Sequence, residues 1–166
     1  MRDDELVVSD TSPLLNLALI DRLDLVREQF STITVPERVW DELLDGEAGV
    51  DALRSIHDAG VLDIVSVNDS SLFVEFRRDL DVGEAAALAH AIEADADIVL
   101  LDEREARQTA RRHDLSMTGA IGVLLRAART GDLDLQTELD ALRSAGFWIS
   151  DDLYEEVLSR GPGDTA

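Results

Sequence analysis

Cysteine and lysine are both missing from this 166-residue chain, and proline (3 residues) and aromatics (4%) are sparse. The lack of cysteine removes disulfides, thiolate metal sites and thiol nucleophiles. The lack of lysine removes Schiff-base chemistry and the Gly-x-x-x-x-Gly-Lys phosphate loop. No Gly-x-Gly-x-x-Gly follows the first predicted strand, which disfavours a dinucleotide site. Gly119-Ala120-Ile121-Gly122 comes too late and is too apolar to serve. Long apolar runs are also missing: Pro13 to Ile20 falls well short of the roughly 20 residues needed to span a bilayer. The opening Met-Arg-Asp-Asp-Glu lacks the flank and core of a signal peptide. These absences lead to the expectation of a cytoplasmic protein with no membrane partner.

Basic residues are few: 15 arginines stand against 36 acids, for a net charge of −21. Abundant aspartate without lysine suggests adaptation to high internal salt, where the Debye length is about 3 Å or less and self-repulsion is tolerable. A basic partner is the other explanation. In molar salt, counterion release drives nucleic-acid binding only weakly. A halophilic nuclease would rely on metal bridges and hydrogen bonds, so overall acidity does not exclude a nucleic-acid substrate.

What the chain does hold is a hydrophobic content of 45%, enough for one domain with a sizeable core. Apolar runs at residues 5–9 and 97–101 read as buried parallel strands, with shorter strands at 33–35, 62–67 and 115–117. Ser12 is expected to cap the first helix, with Pro13 at its first position. Further helices are expected at 23–29, 36–44, 50–59, 70–79, 83–94, 103–113, 119–129, 134–145 and 151–159, with Gly83 breaking between two of them. Strands alternating with helices predict a three-layer α/β/α sandwich with a mainly parallel central sheet. The expected domain covers residues 1–160, followed by a flexible tail at 161–166.

Four acids border this sheet's carboxyl edge, where open α/β sheets bind ligands. Asp10 and Asp102 end the two apolar runs, Glu42 lies on a helix and Glu84 opens another. Carboxylate oxygens suit Mg²⁺ or Mn²⁺. Each acid also has an ordinary explanation. Asp10 and Asp102 can cap helices, Glu42 can pair with Arg38 at i−4, and Glu84 can answer a helix dipole. Arg104, Arg107 and Arg111 share one helix face, joined by Arg112. They suit either a phosphate backbone or a solvated, acid-paired surface. His57, His90 and His113 show no catalytic spacing.

The segments VVSDTSPLLNLALIDRLDLV, VPERVWDEL, GEAAALAHA and IVLLDEREARQTARRHDLSMTGAIGVLLRAARTG, with FWISDDLYEEVL near the end, resemble in order the PIN domain. The nearest likeness is to its prokaryotic branch related to VapC-type toxin ribonucleases. The resemblance implies the α/β/α sandwich and a Mg²⁺- or Mn²⁺-dependent ribonuclease acting on an RNA substrate. It also implies a homodimer and pairing with a small antitoxin. Residue by residue, it implies metal-binding and catalytic roles for Asp10, Glu42, Glu84 and Asp102, with Ser12 nearby and Glu103 able to share or replace the last. Ala106 and Ala128 depart from the branch's usual glycine and lysine. A PIN-like binding module without turnover, or a DNA-directed nuclease, is the alternative.

Overall fold

Five short strands make the central sheet: β1 (Val7–Ser9), β2 (Ile33–Pro36), β3 (Leu62–Val65), β4 (Ile98–Leu100) and β5 (Met117–Thr118). The computed structural model describes residues 5–131 and 133–161. Strand order is β3-β2-β1-β4-β5, and every pairing is parallel. The alternation of side chains along each strand explains the two layers around it. Val7 and Leu100 join one core, whereas Val8, Val99 and Leu101 join the other. Because both faces are covered, Val7-Val8 and Ile98-Val99-Leu100 are continuous apolar stretches rather than alternating ones.

Helices α1 (Thr11–Leu19) and α2 (Asp24–Gln29) connect β1 to β2, and α3 (Glu37–Asp45) and α4 (Val50–Asp58) connect β2 to β3. Helices α5 (Ser71–Phe76) and α6 (Val82–Glu93) return the chain to β4, and α7 (Arg104–Arg112) leads to β5. Crossovers of one hand that travel in opposite directions from β1 must cover opposite faces. Burial agrees: Leu14, Leu25, Val39 and Leu53 lie in one core, and Phe73, Leu88, Ala106 and Ala110 in the other. Helices α8 (Ala120–Thr130), α9 (Leu135–Ser144) and α10 (Asp151–Ser159) complete the first layer through Val123, Leu139 and Tyr154. The three-layer sandwich is thus observed, with a sheet that is wholly parallel.

Several boundaries differ from expectation. Asp10, not Ser12, occupies the cap position of α1, and Pro13 falls further into the first turn, where its missing N–H leaves no bond unmade. Pro36 ends β2 opposite Val65 and is also the cap position of α3, which begins one residue later than expected, at Glu37. Gly83 lies inside the first turn of α6 instead of breaking the chain. The last strand is only Met117–Thr118, bonded on one side to β4. Of the expected tail, Gly161 is buried and the remainder lies outside the described residues. Among the described residues, no helix is long and apolar enough to cross a membrane.

One ion pair ties α9 to the turn between α1 and α2 within the first layer. Arg22, between α1 and α2, gives Nε and Nη2 to Glu138 Oε1 of α9 at 2.9 and 2.6 Å. The Glu138 side chain is only 10% exposed and that of Arg22 is 35% exposed. Removing the cation leaves a nearly buried carboxylate alone. Arg22→Ala is therefore expected to destabilise the fold by about 1–3 kcal/mol, less than for a fully buried pair because water screens the arginine. Urea unfolding measures this, and a midpoint equal to the native one would show the pair to be idle.

Candidate active site

Strand order reverses between β1 and β4: β2 and β3 lie to one side of β1, and β4 and β5 to the other. That is the switch point at which such sheets bind ligands, outside their carboxyl ends. Ser9 is in register with Leu100, and the Asp10 N–H donates to the Leu100 carbonyl at 3.1 Å. Asp10 and the Asp102-Glu103 pair therefore leave neighbouring central strands at the same edge.

Asp10 is 2% exposed. It stands at the cap position of α1, yet its side chain makes no capping bond. Burial pushes its carboxyl up to about 8; the Thr11 amide opposes this, while the charges of Asp81, Glu84 and Glu42 add to it. Glu42 points back from α3 and accepts the Thr11 hydroxyl at 2.8 Å. The expected Arg38–Glu42 pair is not formed. Arg38 instead binds Asp69 and lies 4.4 Å over the Phe73 ring, partners that folding brings from another element.

Gly83 shows how close these groups come. A β-carbon there would stand 2.7 Å from Glu42 Oε2, 3.1 Å from Asp10 Oδ1 and 3.3 Å from Thr11 Oγ1. Three oxygens from two helices and one strand end thus surround the space over one glycine. Glu84 is 7% exposed and shares a capping box with Asp81. Its Oε1 accepts the Asp81 N–H at 3.1 Å, and its own N–H donates to Asp81 Oδ1 at 2.8 Å. Burial pushes Glu84 up to about 7; the Asp81 N–H opposes this, while the Asp81 carboxylate adds to it. An open groove of about 430 Å³ alongside is lined by Arg38, Asp41, Glu42, Asp45, Asp81 and Gly83. A larger pocket between α2 and α8 holds none of the four candidate acids.

Asp102 has a different set of partners. Its Oδ1 accepts the Ala120 N–H at 2.9 Å, and its Oδ2 accepts Asn16 Nδ2 at 2.8 Å. It therefore caps α8 rather than the helix that follows it. Burial raises its carboxyl, against the pull of these bonds and of Arg107. Glu103, at the cap position of α7, accepts the Ser12 hydroxyl at 3.3 Å.

Spacing alone misses Thr11, Asn16 and Asp81. Arg107 turns inward from the arginine face, donating Nη1 to the Leu101 carbonyl at 2.8 Å. Burial lowers its basicity while Asp102 opposes that. Arg112 donates to Thr109, and among the described residues Arg104 and Arg111 form no ion pair, so the acid-paired surface is not what they make. His57 stacks on Trp40 beside Asp58, and His113 meets Phe76 edge to face.

Among the described residues no three His, Asp or Glu side chains form a ready-made metal cluster. The donors nevertheless suit a hard divalent ion. Mg²⁺ is usually held by one or two carboxylates and several waters, and Asp10 is a buried acid crowded by three other negative groups. Gly83 keeps the space between Asp10 and Glu42 open. Gly83→Ala should therefore reduce Mn²⁺ affinity about tenfold or more by pushing the Asp10 and Glu42 carboxylates apart. The fold should be unchanged or up to about 1 kcal/mol more stable, since alanine favours helix. Calorimetric Mn²⁺ titration and urea unfolding of one preparation test both signs.

A family model described as a PIN domain matches residues 6–161, the span containing every acid discussed above. No curated protein matches the sequence.

Proposed function

The chain belongs to the PIN-domain family, whose fold is of nuclease type, and from that premise we propose that it is a Mg²⁺- or Mn²⁺-dependent ribonuclease hydrolysing RNA phosphodiester bonds. The observation that carries this reading is Asp10. It is buried at the switch point, has no cationic partner among the described residues, and has Glu42, Glu84 and Asp81 acting on it. Groups so arranged cannot all ionise unless a cation compensates them.

A divalent ion held there would polarise the scissile phosphate and lower the pKa of an attacking water. The protein's part is placement. Asp10 and a carboxylate from the end of β4 hold their positions through the adjacent strands. Glu42 is oriented by the Thr11 hydroxyl and Glu84 by the turn that Asp81 caps. Arg104 and Arg111 lie on the helix that begins at this edge, exposed and with no acid partner among the described residues, where they orient the RNA backbone without reading its bases.

The biological role we assign is the toxin of a toxin–antitoxin pair, acting as a homodimer in a salt-rich cytoplasm. Defined single-stranded RNA and DNA of the same sequence, incubated in molar KCl, provide the test. RNA cleavage with Mg²⁺ or Mn²⁺, lost on adding EDTA, is the expected result. RNA binding that survives EDTA without cleavage would instead establish a binding module, and preferential DNA cleavage would redirect the substrate. A short antitoxin-like reading frame beside the gene tests the toxin role, and sedimentation tests the dimer.

A further inference from the structure

Two carboxylates leave the end of β4, and they are engaged differently. Both oxygens of Asp102 already accept hydrogen bonds, from Ala120 N–H at 2.9 Å and from Asn16 Nδ2 at 2.8 Å. These bonds join β4 to the first turn of α8 and to the middle of α1. The surroundings leave little freedom, because a β-carbon at Gly119 would collide with Asp102 Oδ1. Arg107 closes the other side through the Leu101 carbonyl. Asp102 has the contacts of a structural joint.

Glu103 is exposed and makes no capping bond to its own helix. Its Oε1 meets the Ser12 hydroxyl at 3.3 Å. Ser12 lies in the first turn of α1, two residues after Asp10, so Glu103 reaches across from the β4 corner to the helix that Asp10 begins. Its charge is also among those acting on Glu84. Glu103 is thus linked to the Asp10–Glu84 side of the edge, and its second oxygen has no protein donor in the described bonds.

We propose that Glu103, not Asp102, supplies the β4-end carboxylate to the metal site, and that Asp102 is a positioning residue holding α1 and α8 around it. The inference rests on the ribonuclease reading and names the residue through which β4 takes part in it. A matched pair of isosteric changes separates the roles. Asp102→Asn keeps an oxygen for the Ala120 N–H, and its amide can donate to a flipped Asn16. Glu103→Gln keeps size while removing charge.

The experiment titrates Mn²⁺ into the full-length, metal-free protein by calorimetry, alongside thermal unfolding without metal. Glu103→Gln is expected to weaken Mn²⁺ binding about tenfold or more with its unfolding midpoint kept. Asp102→Asn is expected to bind within about threefold of native, whereas Asp102→Ala, which loses both bonds, should unfold several degrees lower, on the order of 3 °C or more. Native affinity in folded Glu103→Gln overturns the assignment, and that result decides even if Asp102→Asn fails to fold. Loss of binding in Asp102→Asn, its fold intact, overturns it equally. A native protein that takes up no Mn²⁺ overturns the ribonuclease reading itself, an outcome distinct from a reversed order among variants.

Discussion

Asp10→Asn is expected to cut metal-dependent RNA cleavage about a thousandfold or more, because several kcal/mol of transition-state charge stabilisation depend on the held ion. The same change should make the metal-free protein more stable. Asp10 is 2% exposed, and burial with three acidic neighbours pushes its carboxyl up to about 8. An amide fills the same space without the charge that burial penalises. A variant that loses activity because it unfolds would show the opposite stability sign, so the two readings separate in one preparation. Unchanged hydrolysis would remove Asp10 from the mechanism.

The stability gain should depend on pH in a defined direction. Below about pH 4, Asp10 is protonated in folded and unfolded chains alike, and the substitution changes little. Above the ordinary value of 3.8 the unfolded chain releases its proton, while the folded chain retains it until about 8. The native state then binds more protons than the unfolded state, so Asp10 lowers stability progressively as pH rises through that window. The advantage of Asp10→Asn should therefore be near zero at pH 4 and grow to roughly 2 kcal/mol or more at pH 8. Saturating Mn²⁺ should offset it: at 100 times Kd the native protein gains about 2.7 kcal/mol that the variant forgoes. Urea unfolding at pH 4, 6 and 8, with and without Mn²⁺, measures all of this. A variant less stable than native at pH 8 without metal would mean that Asp10 is not held as a strained buried acid.

Signals local to a few residues were readable, and those set by distant partners were not. The apolar runs ending at Asp10 and Asp102 marked two strand ends because both sheet faces are covered. Their adjacency follows from the β1–β4 pairing, which no local pattern encodes. Asp81 was within reach, since Asp81-Val82-Gly83-Glu84 carries the spacing of a capping box. Reading Gly83 as a breaker hid it, although the glycine is required by Glu42 and Asp10 across the site. Asn16 bonds a residue 86 positions away, so no spacing rule could find it. The i+4 rule for Arg38 and Glu42 failed because Asp69 and Phe73 offer Arg38 better partners. Equal treatment of the arginine face failed because Arg107 is drawn inward by the Leu101 carbonyl.

Gly119→Ala is expected to destabilise the protein by about 1–3 kcal/mol, the range for overpacking a closed site. For a chain of this size that lowers the unfolding midpoint by roughly 2–10 °C. Backbone conformation is not the cause, since φ −147 and ψ −167 suit any residue. Space is. The new β-carbon would collide with Asp102 Oδ1 and stand 2.8 Å from the Leu101 carbonyl and 3.4 Å from Arg107 Nη1. None of these yields freely, because the carboxylate is bonded to Ala120 and Asn16, and the carbonyl belongs to backbone anchored by the Leu101 N–H bond to Thr118. At Gly83 the same added carbon meets only side-chain ends, which is why stability there should hold while metal affinity falls. A Gly119→Ala protein with native stability would mean that β5 and α8 shift at little cost, and Asp102 would then be no joint.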